Sequence, residues 1–188
     1  MNKVKPILLG MCLTTLVGCT SISLKDMFEQ SVPTRYQPLG SYKELMRLHG
    51  VGVVDYVCSE DENGTYYKFI NINIELFDKK QKLLAEIHGS KQTLTYEDGG
   101  IIKELRPVKW GTSESLTNYK ALPDVLFSVG EIQGNKKSEV VKVKFITRSH
   151  TQGGEPKLKC STEQIGKEFK EPFNATFIFW EISNELYH

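Results

Sequence analysis

Ile70-Asn71-Ile72-Asn73-Ile74-Glu75-Leu76 alternates apolar and polar side chains without a break. A strand sends successive side chains to opposite faces, so Ile70, Ile72, Ile74 and Leu76 share a buried face while Asn71, Asn73 and Glu75 meet water. The run before it has the same period: Val51, Val53 and Val57 alternate with Gly52, Val54 and Tyr56, and the strand ends at Cys58. Between them lies Asp61-Glu62-Asn63-Gly64, whose Asn-Gly pair tolerates the positive φ of a tight hairpin turn.

The pattern continues downstream. Asp78-Lys79-Lys80-Gln81 reads as a turn, Leu83 to His88 as a returning strand, and Lys91–Tyr96 with Ile101–Leu105 as a hairpin around Glu97-Asp98-Gly99-Gly100. Pro107 marks an edge or a connection, and residues 111–120 a polar loop. Val125, Phe127 and Val129 begin another strand, broken by Gly130 and Gly134; Val141, Val143 and Phe145 alternate with lysines. Phe173 to Ile182 closes the chain as an apolar strand, either central in its sheet or covered on both faces. Seven or eight short antiparallel strands predict a mainly β fold, one β-sandwich or small barrel. Ahead of them, Ser41-Tyr42-Lys43-Glu44 has capping-box spacing, Leu45, Met46 and Leu48 supply an apolar face and Gly50 a stop. Those signals predict one short helix over 42–48.

The N-terminus carries a different message. Lys3 and Lys5 precede an apolar run from Pro6 to Val17, about 12 residues, too short to span a bilayer that needs about 20. A basic start and a short apolar middle mark a signal peptide. Leu16-Val17-Gly18-Cys19 at its end resembles the lipobox of bacterial lipoproteins, in which the thiol is diacylated and becomes the first residue. The plainer alternative is a secretory signal with an incidental cysteine. The resemblance implies lipidation of Cys19 after removal of a signal peptide at 1–18; the polar stretch that follows, with Pro33 and Pro38, makes 19–40 a flexible tether, and the strands make 41–188 one β domain. Thr20, where an aspartate would imply retention in the inner membrane, points by the same resemblance to the outer one. The membrane partner is then the bilayer that holds the lipid.

Removing Lys3 and Lys5 moves the formal charge from +1 to −1, which gives no electrostatic case for binding nucleic acid. Cys12 leaves with the signal and Cys19 takes the lipid, so Cys58 and Cys160 remain. In an oxidising envelope two remaining thiols are read as one disulfide. The rival is a metal site or reactive thiol, but neither cysteine stands in a C-x-x-C pair or beside a histidine.

The order of these pieces resembles a family of secreted bacterial and fungal proteins known as a domain of unknown function. The opening strand matches at Val53-Val54-Asp55-Tyr56-Val57-Cys58, followed by Leu76-Phe77-Asp78, His88, Asp98-Gly99 and Leu122-Pro123. The most specific block is Arg148, Thr151, Gly153, Gly154, Pro156 and Cys160, and the closing strand matches over 171–179. Lys91-Gln92, Leu94 and Asp124 depart from the family's Gly-Pro and tryptophans. The resemblance covers roughly 50–180; it implies an exported domain with paired cysteines and no established activity.

Arg148, His150, Gly153 and Gly154 form the most suggestive polar cluster, in which Arg148 could grip a carboxylate or sulfate and glycines let backbone approach. The plainer reading is a tight turn with Arg148 paired to a structural acid. His88, Asp98 and Asp78 could serve as ligands or acid–base groups, yet their spacing fits no zinc or calcium pattern. No G-x-S-x-G elbow or G-x-G-x-x-G loop is present, so no catalytic residue, metal or cofactor is assigned. Tyr66, Tyr67, Tyr96, Trp110 and Tyr119 could stack on sugars or simply cover sheet. The leading expectation is a non-catalytic envelope module that binds a small ligand or another envelope protein. An inhibitor of a cell-wall hydrolase is second, from a loose resemblance to periplasmic lysozyme inhibitors. An envelope enzyme working from His88, Asp98 and Arg148 is third, and requires those side chains to converge.

Overall fold

The computed structural model describes residues 28–110, 121–156 and 158–183. The signal peptide, Cys19 and the polar loop at 111–120 lie outside the described residues.

Among the described residues ten antiparallel strands build one curled, half-barrel sheet: β1 Tyr42–Asp61, β2 Gly64–Phe77, β3 Leu83–His88, β4 Thr93–Tyr96, β5 Gly100–Ile102, β6 Leu105–Trp110, β7 Val125–Val129, β8 Ile132–Gly134, β9 Val143–Gly153 and β10 Glu168–Ile182. Their spatial order is β6-β7-β9-β10-β1-β2-β3-β4-β5-β8. The two ends of that order are neighbours along the chain, since β5 runs on into β6 and β7 into β8. Lys103 N–H donates to Glu131 O (2.9 Å) and Gly130 N–H to Glu104 O (2.9 Å), which stitches the two bent ribbons together where they change partners. Curling of this kind leaves few open edges.

The concave face holds the main core. Leu48, Val54, Ile72, Ile74, Leu76, Ile87, Leu94, Phe127, Ile146, Phe177 and Phe179 are all buried there. Burying each such side chain contributes about 1.5–3 kcal/mol. A smaller cluster forms on the convex face of β9 and β10, where Ile178 and Trp180 pack against Val32 and Tyr36. The strand expected to be central or covered on both faces, β10, is therefore covered on both.

That second cluster redraws the tether. From Phe28 onward the segment expected to be a free linker is seated on the domain. Arg47 Nη1 donates to Phe28 O (3.2 Å) and Gln30 O (2.5 Å), Thr147 Oγ1 to Tyr36 O (2.7 Å), and Trp180 Nε1 to Thr147 Oγ1 (2.8 Å).

Two expectations are corrected by bulges. Residues 42–48 are strand, not helix: they open β1 and pair with β10. Glu44 faces Trp180 and Met46 faces Phe179, so Leu45 is an extra residue. One inserted residue turns Glu44 and Arg47 onto the same face, where they form a two-bonded ion pair (Nε–Oε1 3.0 Å, Nη2–Oε2 2.7 Å). Their helix-like spacing has that origin. In β2, Asp55 pairs with Asn71 and Tyr56 with Phe69, so Ile70 is the extra residue and is 38% exposed rather than buried with Ile72.

Candidate functional site

The bulge at Ile70 lets β1 and β2 change course as they run out to the Asn63-Gly64 turn, where Gly64 holds φ at 103° and Asp61 Oδ1 accepts the Asn63 N–H (2.8 Å). The chain between β9 and β10 returns to that hairpin and is tied to both strands. The Cys58–Cys160 disulfide joins it to β1. Cys58 also exchanges backbone bonds with Lys167 and Gly166 (3.0 and 2.9 Å), and Thr65 Oγ1 donates to Cys160 O (2.5 Å). Between the hairpin and this loop lies a cleft of about 430 Å³, lined among others by Tyr56, Tyr66, Tyr67, Glu155, Leu158 and Lys159.

Tyr56 is buried in the inner wall. Its ring meets Tyr67 and Phe69 edge-on (centroids 6.2 and 6.4 Å), and its hydroxyl donates to Gly154 O at 2.8 Å. Burial, reinforced by the charge of Glu155, raises the phenol pKa to about 12, so it remains a donor. Tyr67 in turn stacks edge-on against Phe169 (5.0 Å). Leu158 is 79% exposed and Tyr66 40%, so apolar surface stands open at the rim. Aromatic walls with a few charged groups suit stacking on a ring or holding an extended chain, and they place no nucleophile beside a base.

The polar cluster expected at 148–154 is divided between two faces. Arg148 points to the concave side, opposite Val125 and Phe177, and is buried. His150 sits in a β9 bulge with φ 53°, its Nδ1 3.1 Å from Ser149 Oγ, in contact with the Ser31 backbone. The two glycines are required by crowding and form no open cradle. A Cβ on Gly153 would lie 2.5 Å from Pro172 O, and one on Gly154 would lie 2.7 Å from Leu122 Cγ. The Gly154 N–H is already donated to Pro172 O (3.1 Å).

His88, Asp98 and Arg148 do not converge. His88 points outward from β3 between Asn73 Oδ1 (3.1 Å) and Glu86 Oε2 (3.3 Å). Asp98 lies at the far end of the β3–β4 hairpin and accepts the Gly100 N–H (3.0 Å), while Asp78 accepts those of Lys80 and Lys82 (2.7 and 2.9 Å). Both aspartates are turn-formers. Among the described residues no three His, Cys, Asp or Glu side chains come together as a metal site.

Two histidines set a pH dependence. His49, buried on the convex face of β1 beside Thr176, has an Nδ1 without a hydrogen-bond partner, and burial lowers its pKa. Burial lowers that of His150 too, against the pull of Asp124. A lowered folded pKa means that the folded chain refuses protons the unfolded chain accepts. Stability is whole above the usual imidazole value of about 6.5 and falls as pH drops through the folded values. Urea midpoints at pH 7.5 and 5.5 should therefore fall with acidification, and the fall should shrink in a His49→Gln/His150→Gln variant. Asp124, whose carboxyl burial pushes up, acts in the opposite sense at lower pH.

Set beside known proteins, the chain matches no protein-family model, and neither the curated proteins nor the solved structures include a significant match to it.

Proposed function

We propose that this protein is a non-catalytic binding module of the bacterial envelope, held at the outer membrane by a lipid on Cys19, with its ligand seated in the tyrosine-lined cleft. One observation carries the reading. Two segments 102 residues apart are cross-linked so as to leave an open aromatic cleft between them, whereas the acid–base candidates are scattered over turns and outer faces. Exposed tyrosine and leucine at the rim of a concave site are surface that a ligand can cover favourably.

The test is titration of the mature chain with soluble envelope glycan fragments, followed by tyrosine fluorescence. If rings stack on the ligand, Tyr66→Ala and Tyr67→Ala each weaken binding by about 2- to 13-fold, the equivalent of about 0.5–1.5 kcal/mol per aromatic contact. Unchanged affinity in both variants, or turnover of the fragments by the purified chain, would reverse the reading. Incorporation of labelled palmitate into the wild type but not into Cys19→Ala tests the anchor. Inhibition of a cell-wall hydrolase is the second reading, favoured by the exposed acidic run Glu60-Asp61-Glu62 at the hairpin tip, which suits a cationic enzyme. Loss of lysozyme activity on adding the domain, with no glycan binding, would select it.

A further inference from the structure

We propose that Arg148 is the buried half of an oxyanion site, completed by a carboxylate, sulfate or phosphate group that enters from the cleft side. The inference is independent of what stacks on the tyrosines. Arg148 is 4% exposed, set among Val125, Phe177 and the Phe127 ring, whose centroid is 5.8 Å from Cζ. Burial lowers its pKa to about 10, so it is charged at neutral pH. A guanidinium carries five N–H donors in a planar fork, and buried ones are normally met by a carboxylate. Here Nη2 donates to Pro123 O (3.0 Å), Nε has no partner, and among the described residues no carboxylate forms an ion pair with it.

The neighbouring groups do not supply the missing half. Asp124 bears on the guanidinium's charge but lies beyond ion-pair distance from it. Tyr56 gives its hydroxyl to Gly154 O. Glu155 acts on Arg148 only at longer range and stands in the cleft wall. Three residues along β9, the Thr151 hydroxyl is also buried without a partner. An unpaired cation and an unused hydroxyl beside the same strand end are what an oxyanion satisfies, through paired N–H···O bonds of the kind a guanidinium makes best. Tyr56 and Glu155 both line the cleft, and the Tyr56 hydroxyl reaches Gly154 O at the end of the strand that carries Arg148, which sets the direction of entry.

The probes are inorganic sulfate and inorganic phosphate, added to the mature chain against chloride at equal ionic strength, with Tm as the readout. At ten times its Kd a site-bound anion raises Tm by about 3–6 °C for a chain of this size. Arg148→Met should abolish the rise while leaving the anion-free Tm unchanged or higher, because methionine removes an unpaired buried charge. Arg148→Lys should weaken the anion about 10-fold, since a point charge replaces the fork. Glu155→Gln should tighten it by removing a like charge from the entry, and this variant decides the matter if Arg148→Met does not fold. The proposal is overturned if the wild type shows no rise beyond the chloride control, if Arg148→Met keeps the rise, or if Glu155→Gln leaves the affinity unchanged.

Discussion

Replacing Cys58 and Cys160 together by serine should lower stability by up to about 4.7 kcal/mol, the chain-entropy value for a closed loop of about 100 residues. The observed separation is 102 residues. For a domain of this size each kcal/mol moves Tm by about 2–4 °C, so the loss is on the order of 10–20 °C. The effect is large because the link closes almost the whole length of the sheet, from the outer end of β1 to the approach to β10. Both sulfurs are buried, Cys58 at 1% and Cys160 at 3% exposure, so serine also places two hydroxyls where water does not reach. The consequence extends to the cleft. Glu155, Leu158 and Lys159 reach it from the loop between Gly154 and Cys160, which without the disulfide is held by the Gly154 bonds at one end and by the Thr65 hydroxyl on Cys160 O at the other. Ligand affinity in the double variant should therefore fall under conditions where the protein is still fully folded by circular dichroism. Urea unfolding of the oxidised and variant chains gives the first number and ligand titration the second. A stability loss under about 1 kcal/mol would mean that the loop ends are held together without the bond.

How much of this could be read from the residues follows the range of the interactions involved. The alternation from Ile72 to Leu76 is a property of one strand against one core, and it stands as written. Ile70 departs because its neighbour strand is one residue shorter at that point, which nothing in β2 itself encodes. Residues 42–48 mislead for a related reason. A bulge at Leu45 lets Leu45, Met46 and Leu48 all pack against the core from one strand, the grouping that a helix face would give, and Gly50 is not a stop but a position where a neighbouring ring needs the space. The cysteine pair was legible because the compartment leaves those two thiols only each other. The cleft was not. Tyr56 reads as an ordinary strand residue, and Glu155, Leu158 and Lys159 follow no period; they become neighbours of Tyr67 only once β1, β2 and the returning loop are in register. The hints were Tyr66 and Tyr67, two of the five aromatics that could stack on sugars, and Cys160, which obliges the residues just before it to lie beside the end of β1. In the 148–154 block the sequence identified Arg148 as unusual, but the partner acid expected for it does not pair with it.

Phe177→Ala should be the most damaging single truncation, costing about 3–5 kcal/mol, because Phe177 is 1% exposed in the middle of β10 and shares the concave core with Phe127 and Phe179. Its ring also explains Gly50. A Cβ added there would come within 2.5 Å of Phe177 Cε2 and 3.0 Å of Leu76 Cδ2, and a ring packed on all sides yields less readily than the end of a flexible side chain. Gly50→Ala should then cost about 1–3 kcal/mol as an overpacked core. The two losses should not add. Once Phe177 is cut back to alanine, the methyl at position 50 enters space the ring has vacated, so the double variant should be more stable than the sum of the two single losses implies, by about 0.5–3 kcal/mol of coupling. Urea denaturation of the four chains in the cycle measures that difference directly. Additivity to within about 0.3–0.5 kcal/mol would show that the two positions do not compete for the same volume, and Gly50 would then have to be explained by its backbone. The backbone offers no such explanation, since Gly50 is absent from the glycines with positive φ and lies in the regular pairing of β1 with Ala175 and Leu76. What glycine contributes at this point is the absence of a side chain, and the side chain that requires the absence is Phe177.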